Sequence, residues 1–579
     1  MAGRFRVPAL ALLATGCATG ETAPARLEQG MVVCEHPLAS EVGRDVLARG
    51  GNAADAAVAT ALALAVVYPQ AGNLGGGGFA LWCGADGEDL ALDFRETAPA
   101  RLAEAALRDE RGALHADWLL WSPLGVGVPG TPTGLHEFLE RCGSRRFSLG
   151  ELAQPAIELA ARGFAVDREL AADLRDEDDR ARLERSPGAL ATFFASGEPL
   201  SEGDVLVQRE LAESLRRYAE RGAAGFYSGA TAEALVEELE RAASALPESV
   251  RLARPWLDLA DLAAYRPKWR EPLRGTFRGR EIVTMPLPSS GGIVLLQSLA
   301  VLEPLAGDSF DARFAHACVE SLRRSFAERA AVMGDPEFVA VPVDELLSRG
   351  WTERTRASIG PRATPDVVAL TRAEGTNTTH LSVVDESGNA VALTTTLNSS
   401  FGSGILVRGA GILLNNELDD FSLSGAVANQ FALVGGAPNR IEPGKRPLSS
   451  MTPTVVRRDG RVELVLGSPG GPRIVTSVVQ VLLRVLAFDA SLADAVAAPR
   501  LHQQWSPAKT AVEKSFSEDL ADLLRSLGHE IDVRDGTFGS VQAIAVHPSG
   551  RVEGASDPRR GGAALGTMRE WRDAPRESR

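Results

Sequence analysis

The chain has 579 residues, 45% of them hydrophobic and 24% charged, enough apolar material for a large core and against wholesale disorder. Its formal charge is −15, with basic pairs such as Arg145-Arg146 and Arg323-Arg324 scattered rather than striped, which argues against nucleic acid as a partner. Beyond the N-terminus no run of roughly 18 apolar residues argues for a membrane-spanning helix, and no CxxC, HExxH or mixed Cys/His spacing points to zinc.

The first predicted segment is a signal peptide over residues 1–25. Arg4 and Arg6 precede the short apolar run "VPALALLATG", which is too short to span a bilayer. It ends in "LLATGC" and resembles a bacterial lipoprotein signal, in which Cys17 is lipidated. Ordinary cleavage near "ATGCATG" is the alternative, and both imply export, to a bacterial periplasm or to a membrane-anchored lipoprotein. Cys34, Cys83, Cys142 and Cys318 then read as buried free thiols.

Residues 37–66 read as two helices broken at Gly50-Gly51-Asn52. Gly75 to Gly78 in "NLGGGGF" mark backbone passing close to other backbone or to a ligand; no Gly-Lys-Ser/Thr follows that would make a phosphate loop. From about 133 to 265 the pattern is helical and polar, a scaffold. A strand around "REIVTMP" and a long helix from "ARFAHACVE" follow, and residues 361–377 read as an exposed connection. After that, "HLSVVDESGNAVALTTTL", "TPTVVRRDGRVELVLG" and "VQAIAVHPSGRVEGAS" each place a Gly-containing turn between alternating strands. Three hairpins beside many helices predict an α/β protein with largely antiparallel sheets, one shared core over 26–566, and a tail at 567–579.

The first hairpin carries Thr378, Thr379 and Thr394 to Thr396. Threonine suits a pleated surface, so the bland reading is simple β-structure. If the loop is Glu386-Ser387-Gly388, Thr378 falls opposite Thr396; a four-residue loop shifts the register by one and removes the pairing. A threonine hydroxyl needs a base to become a nucleophile, and its own α-amine, with a pKa of about 7.7 to 8.0, is one solution. Thr378 is internal, so that solution requires cutting the Asn377-Thr378 bond.

The motifs "NLGGGGF", "DFRETAPA", "PSSGG", "TTHLSVVD", "GILLNNELDDF", "KRPLSSMTPT", "GSPGG" and "GASDPR" stand in an order that resembles the γ-glutamyltransferase family of N-terminal nucleophile hydrolases. The resemblance implies a four-layer αββα sandwich and a precursor that cuts itself into a large subunit, 26–377, and a small catalytic subunit, 378–579, which stay together as a heterodimer. It implies Thr378 as nucleophile, with its α-amine as base, and Thr396 as the hydroxyl that supports it. It further implies Gly470 and Gly471 as oxyanion donors, Arg95, Ser449 and Ser450 around a substrate carboxylate, and Asn398, Glu417 and Asp420 around its ammonium. Donors would be glutathione and other γ-glutamyl compounds; acceptors would be water, amino acids or dipeptides; no cofactor or metal is needed. Thr379 and His380 are assigned to packing.

Each assignment has a duller counterpart. Arg95, close to Asp93 and Glu96, reads locally as a surface ion pair, paired aspartates usually cap or turn the chain, and "GSPGG" is a plain turn. Segment 421–447 has the length of the family's lid, with Phe431 where some bacterial members carry tyrosine. Residues 238–260 and the tail fall outside the resemblance. Two rival classes are a cephalosporin or glutaryl acylase, whose members tend to lack Asp420, and a non-enzymatic surface lipoprotein that stays a single polypeptide.

Overall fold

Strand after strand in this chain alternates its burial between two partners, and that alternation builds the architecture. A computed structural model describes residues 27, 29–307, 309–364, 378–425, 427–536 and 538–567. The signal segment with Cys17, Asn377 of the cleavage expectation, and residues 568–579 of the tail lie outside the described residues.

In chain order the framework comprises β1 (Met31–Cys34), α1 (Pro37–Ala48), α2 (Ala53–Val67), β2 (Gly77–Cys83), β3 (Asp89–Asp93), β4 (Lys268–Arg270), β5 (Leu273–Phe277) and β6 (Arg280–Thr284). It continues through α3 (Gly291–Leu302), α4 (Ala312–Val332), β7 (Thr378–Val384), β8 (Ala390–Thr396), β9 (Thr454–Arg458), β10 (Arg461–Gly467), α5 (Arg473–Ala487), β11 (Gln542–Val546), β12 (Val552–Ser556) and β13 (Ala563–Gly566). A seven-stranded sheet runs β13-β1-β7-β8-β2-β3-β4 and a six-stranded sheet runs β12-β11-β10-β9-β6-β5. Every pairing within both is antiparallel.

Neighbouring residues on one strand point to opposite faces. Val33, Leu81, Val384 and Ala392 of the larger sheet share one core with Val283, Val455, Val465 and Ile544 of the smaller. Their neighbours Val32, Val383 and Leu393 pack with α1 and α2, and Ile282, Val456 and Leu464 with α3, α4 and α5. All three cores draw residues from both sides of Thr378.

The predicted helix break is real: Asn52 caps α2 in a capping box with Asp55. The three predicted hairpins are β7-β8, β9-β10 and β11-β12. The four cysteines after Cys17 are buried and free. The glycine run answers its own question, for a Cβ on Gly76 or Gly78 would collide with the carbonyl oxygens of Thr396 and Thr394. These glycines let β2 lie directly against β8, pairing Gly77 with Thr396. The 238–260 segment is anchored at a few points, with Trp256 buried and Glu238 paired with Arg408, while Leu252 is exposed.

Candidate active site

The hairpin β7-β8 closes through Glu386-Ser387-Gly388, with Gly388 at φ 88° and Asp385 N donating to Asn389 O at 3.0 Å. This three-residue loop fixes the register, so Thr378 lies directly opposite Thr396. Their hydroxyl oxygens are 3.1 Å apart, and both residues are buried. Thr396 Oγ1 also accepts from Asn398 N at 2.9 Å, while Asn73 Nδ2 donates to Thr396 O at 2.9 Å. Asn398, at φ 78°, turns the chain sharply beyond β8 and sends its Nδ2 to Asn416 O at 3.0 Å. Side-chain-to-backbone bonds therefore pin the chain at Thr396 and just beyond it.

Thr379 and His380 face other partners. Thr379 donates to Glu35 Oε2, which also accepts from His380 N at 2.9 Å. Burial pushes Glu35 up to about 8 and His380 down to about 3, so both rest uncharged near neutrality. The His380 ring lies between Thr394 and Ser382, a packing role.

A second wall is assembled from distant segments. Arg95 is 1% exposed, which overturns the surface ion-pair reading. Its Nη1 pairs with Glu417, its Nη2 with Asp420 Oδ2 at 2.6 Å, and its Nε donates to Pro447 O at 3.2 Å. Its sequence neighbour Asp93 is engaged instead by Arg270 at 2.8 Å. Burial works against the guanidinium's charge, but Glu417, Asp420 and Glu96 outweigh it and hold its pKa above the ordinary value. Burial raises all three carboxyls, with Glu96 at about 8. Among the described residues, Ser450 Oγ, Glu417 Oε2 and both oxygens of Glu96 have no hydrogen-bond partner. Buried orphans of this kind are rare; Ser450 and Glu417 line the pocket, whereas Glu96 does not.

The roof and back come from the C-terminal half. Gly470 and Gly471 take φ 123° and 54°, and among the described residues neither N–H has an acceptor. Phe431 lies against Gly471: a Cβ on Gly471 would come within 2.8 Å of its ring. One pocket is lined by Thr378, Thr396, Asn398, Arg95, Glu417, Asp420, Ser449, Ser450, Gly471 and Phe431, with Gly470 adjoining in the same turn. Nine of the sequence-predicted residues thus share one cavity.

Sequence reasoning missed three neighbours. Glu35 holds the residue after Thr378, and its only signal was a charge in a strand end. Glu96 lies 4.0 Å from Arg95 Nη1 and stood in the motif already quoted. Arg329, on α4, donates to Ser290 Oγ at 2.9 Å, and Ser290 donates from N and Oγ to Ser449 O at 2.8 and 2.6 Å. Burial, with Arg95's charge, pulls Arg329 down to about 10 against the pull of Asp420.

The family model described as gamma-glutamyltranspeptidase matches residues 39–567. A glutathione hydrolase proenzyme of Escherichia coli is 42% identical over 544 residues, covering 93% of this chain and 91% of that protein. Another, from Pseudomonas aeruginosa, is 39% identical over 571 residues, covering 97% and 98%. Among solved structures, a cephalosporin acylase from Bacillus halodurans superposes with a TM-score of 0.80 at 28% identity, covering 95% of this chain and 99% of that one.

Proposed function

The chain belongs to the gamma-glutamyltranspeptidase family, and from that membership we propose that it is a self-processing glutathione hydrolase and γ-glutamyltransferase whose nucleophile is Thr378. The observation that carries the reading is the 3.1 Å contact between Thr378 and Thr396 hydroxyls in a pocket whose other wall holds Arg95, Glu417 and Asp420.

Processing begins when Thr378 Oγ1 attacks the Asn377 carbonyl. The Asn377–Thr378 amide breaks, an ester joins Asn377 to the hydroxyl oxygen, and the α-amine is freed. Water then opens the ester, leaving a large subunit ending at Asn377 and a small subunit beginning at Thr378. The subunits stay together because their side chains share every core. The layering is read as four-layer αββα, with helices outside two stacked sheets.

In turnover the α-amine takes the Thr378 hydroxyl proton as its oxygen attacks the γ-carbonyl of the donor, and it returns that proton to the departing amine. The N–H groups of Gly470 and Gly471 receive the oxyanion. The resulting γ-glutamyl ester passes to water, giving glutamate, or to the amine of an amino acid or dipeptide, giving a new γ-glutamyl amide. The donor's α-carboxylate meets Arg95, with Ser449 and Ser450 beside it. Its ammonium meets Glu417, Asp420 and the Asn398 region. Binding therefore exchanges the internal ion pairs of Arg95 for pairs with the zwitterion. Export through segment 1–25, with or without lipid at Cys17, places the enzyme outside the cytoplasm in this reading.

A denaturing gel with N-terminal sequencing tests it: two fragments are expected, the smaller starting at Thr378, and the absence of that fragment overturns the mechanism. Release of the aromatic amine from a γ-glutamyl anilide then separates this reading from the acylase one, which predicts turnover of a glutaryl amide instead.

A further inference from the structure

The Phe431 segment is held shut over Thr378 from two directions. On one side Gln430 N donates to Asp419 Oδ2 at 2.9 Å and Asn429 Nδ2 to Asp420 Oδ1 at 2.9 Å. On the other side Phe431 O accepts from Gln504 Nε2 at 2.9 Å. The Gln504 amide also donates to Ser506 O at 3.1 Å. Two carbonyls thus claim its nitrogen, which turns its oxygen toward His502 Nε2 at 2.7 Å. His502 Nδ1 in turn meets Thr476 Oγ1 at 3.0 Å, and Thr476 lies in the first turn of α5, directly after Gly470-Gly471. Burial, reinforced by the charge of Arg473, pushes the imidazole down to about 3, so the ring is neutral and presents one N–H, to Gln504.

Thr378 is only 5% exposed. Phe431 lines the same pocket, and any opening that lifts its backbone breaks the bond from Gln504. We propose that Gln504, oriented by His502, is the latch that ties the cover to the start of α5, and that it sets how well the acyl group on Thr378 is shielded from water. Gln504 touches no reacting atom in this reading; it is a positioning residue. The catalytic half of the inference rests on the proposed function, whereas the mechanical half does not.

The test uses the full processed protein. Gln504→Met removes all three hydrogen bonds of the side-chain amide at similar volume. Gln504→Glu keeps an acceptor for His502 but sets a carboxylate oxygen against the Phe431 carbonyl. Hydrogen–deuterium exchange is compared in peptides covering 427–440 and in the hairpin 378–396. The expected result, in both variants, is roughly three- to tenfold faster exchange in the cover, none in the hairpin, and a rise in hydrolysis relative to transfer. Unchanged exchange in the cover overturns the latch. So does an equal rise in the hairpin, or failure of both variants to fold, since either makes Gln504 an ordinary core residue. Absence of γ-glutamyl turnover in the parent protein, with the exchange result intact, counts against the proposed function alone.

Discussion

The two walls of the pocket are built on opposite principles. The Thr378 wall is local: two strands joined by a three-residue loop, with neutral hydroxyls set by ladder register and with glycines on β2 letting backbone pack against backbone. The Arg95 wall is global: one guanidinium gathers Glu417 and Asp420 from more than three hundred residues away in sequence. A reactive hydroxyl needs positional precision, which a ladder supplies. Recognition of a zwitterion needs buried charges of both signs, which stay stable only when each is paired. The local wall is thus suited to chemistry and the global wall to selection.

The strongest way to break this comparison is Thr378→Ala. It leaves the sheet intact, since alanine fits a buried strand position, but removes the hydroxyl proposed above as both the agent of cleavage and the nucleophile. One uncut polypeptide is expected on a denaturing gel, with turnover down at least about 10³-fold and a nearly unchanged thermal midpoint. Appreciable processing in this variant would show that the chemistry lies elsewhere.

Arg95→Met should behave oppositely, losing stability as well as activity. It strands Glu417 and Asp420 in a buried site, a change that typically costs about 3–5 kcal/mol. Calorimetry should show a lowered midpoint. Arg95→Lys, which keeps the charge but cannot fork between two carboxylates, should recover part of the stability and little of the donor affinity. Equal recovery of both would mean that charge alone, not geometry, defines this wall.

Gly471→Ala probes the seam where the walls meet. Its φ of 54° disfavours any side chain, and its new Cβ would press on the Phe431 ring at 2.8 Å. A fall of roughly 10- to 10²-fold in kcat is expected, below that of deleting an oxyanion donor outright. Donor KM should change less. A rate within twofold of the parent would exclude this turn from the reaction.

What the sequence made legible follows the same division. The register of Thr378 and Thr396 could be counted because Gly388 fixes the loop, and the helix break at Gly50 to Asn52 because capping is local. The close approach of Gly75 to Gly78 was legible as a demand for space, though not its partner, β8. The partners of Arg95 were not legible from nearby residues, because proximity in sequence suggested Asp93 and Glu96. The Asp93 carboxylate is instead paired with Arg270, and Glu96 reaches Arg95 only as a 4.0 Å ion pair, while the close partners Glu417 and Asp420 come from far along the chain. Only the motif resemblance carried Arg95, Glu417 and Asp420 to one place. Glu35, Arg329 and the His502-Gln504 chain had no local signature, since each acquires its meaning through burial and a tertiary contact.

The smallest expected effect is the most pointed. Phe431 lines the pocket with carbon alone, and Asn398 lines it beside Thr396. Phe431→Tyr adds one hydroxyl to this buried pocket, where a single new hydrogen bond is worth roughly 0.5–1.5 kcal/mol. If that bond forms across the pocket, it draws the cover down and disfavours entry of water more than the binding of an amine acceptor held by its own contacts. The hydrolysis-to-transfer ratio should then fall about two- to tenfold, with processing and the thermal midpoint unchanged. An unaltered ratio would sink the idea that the cover discriminates between water and acceptor at Phe431. Discrimination would then have to reside in the fixed walls below it.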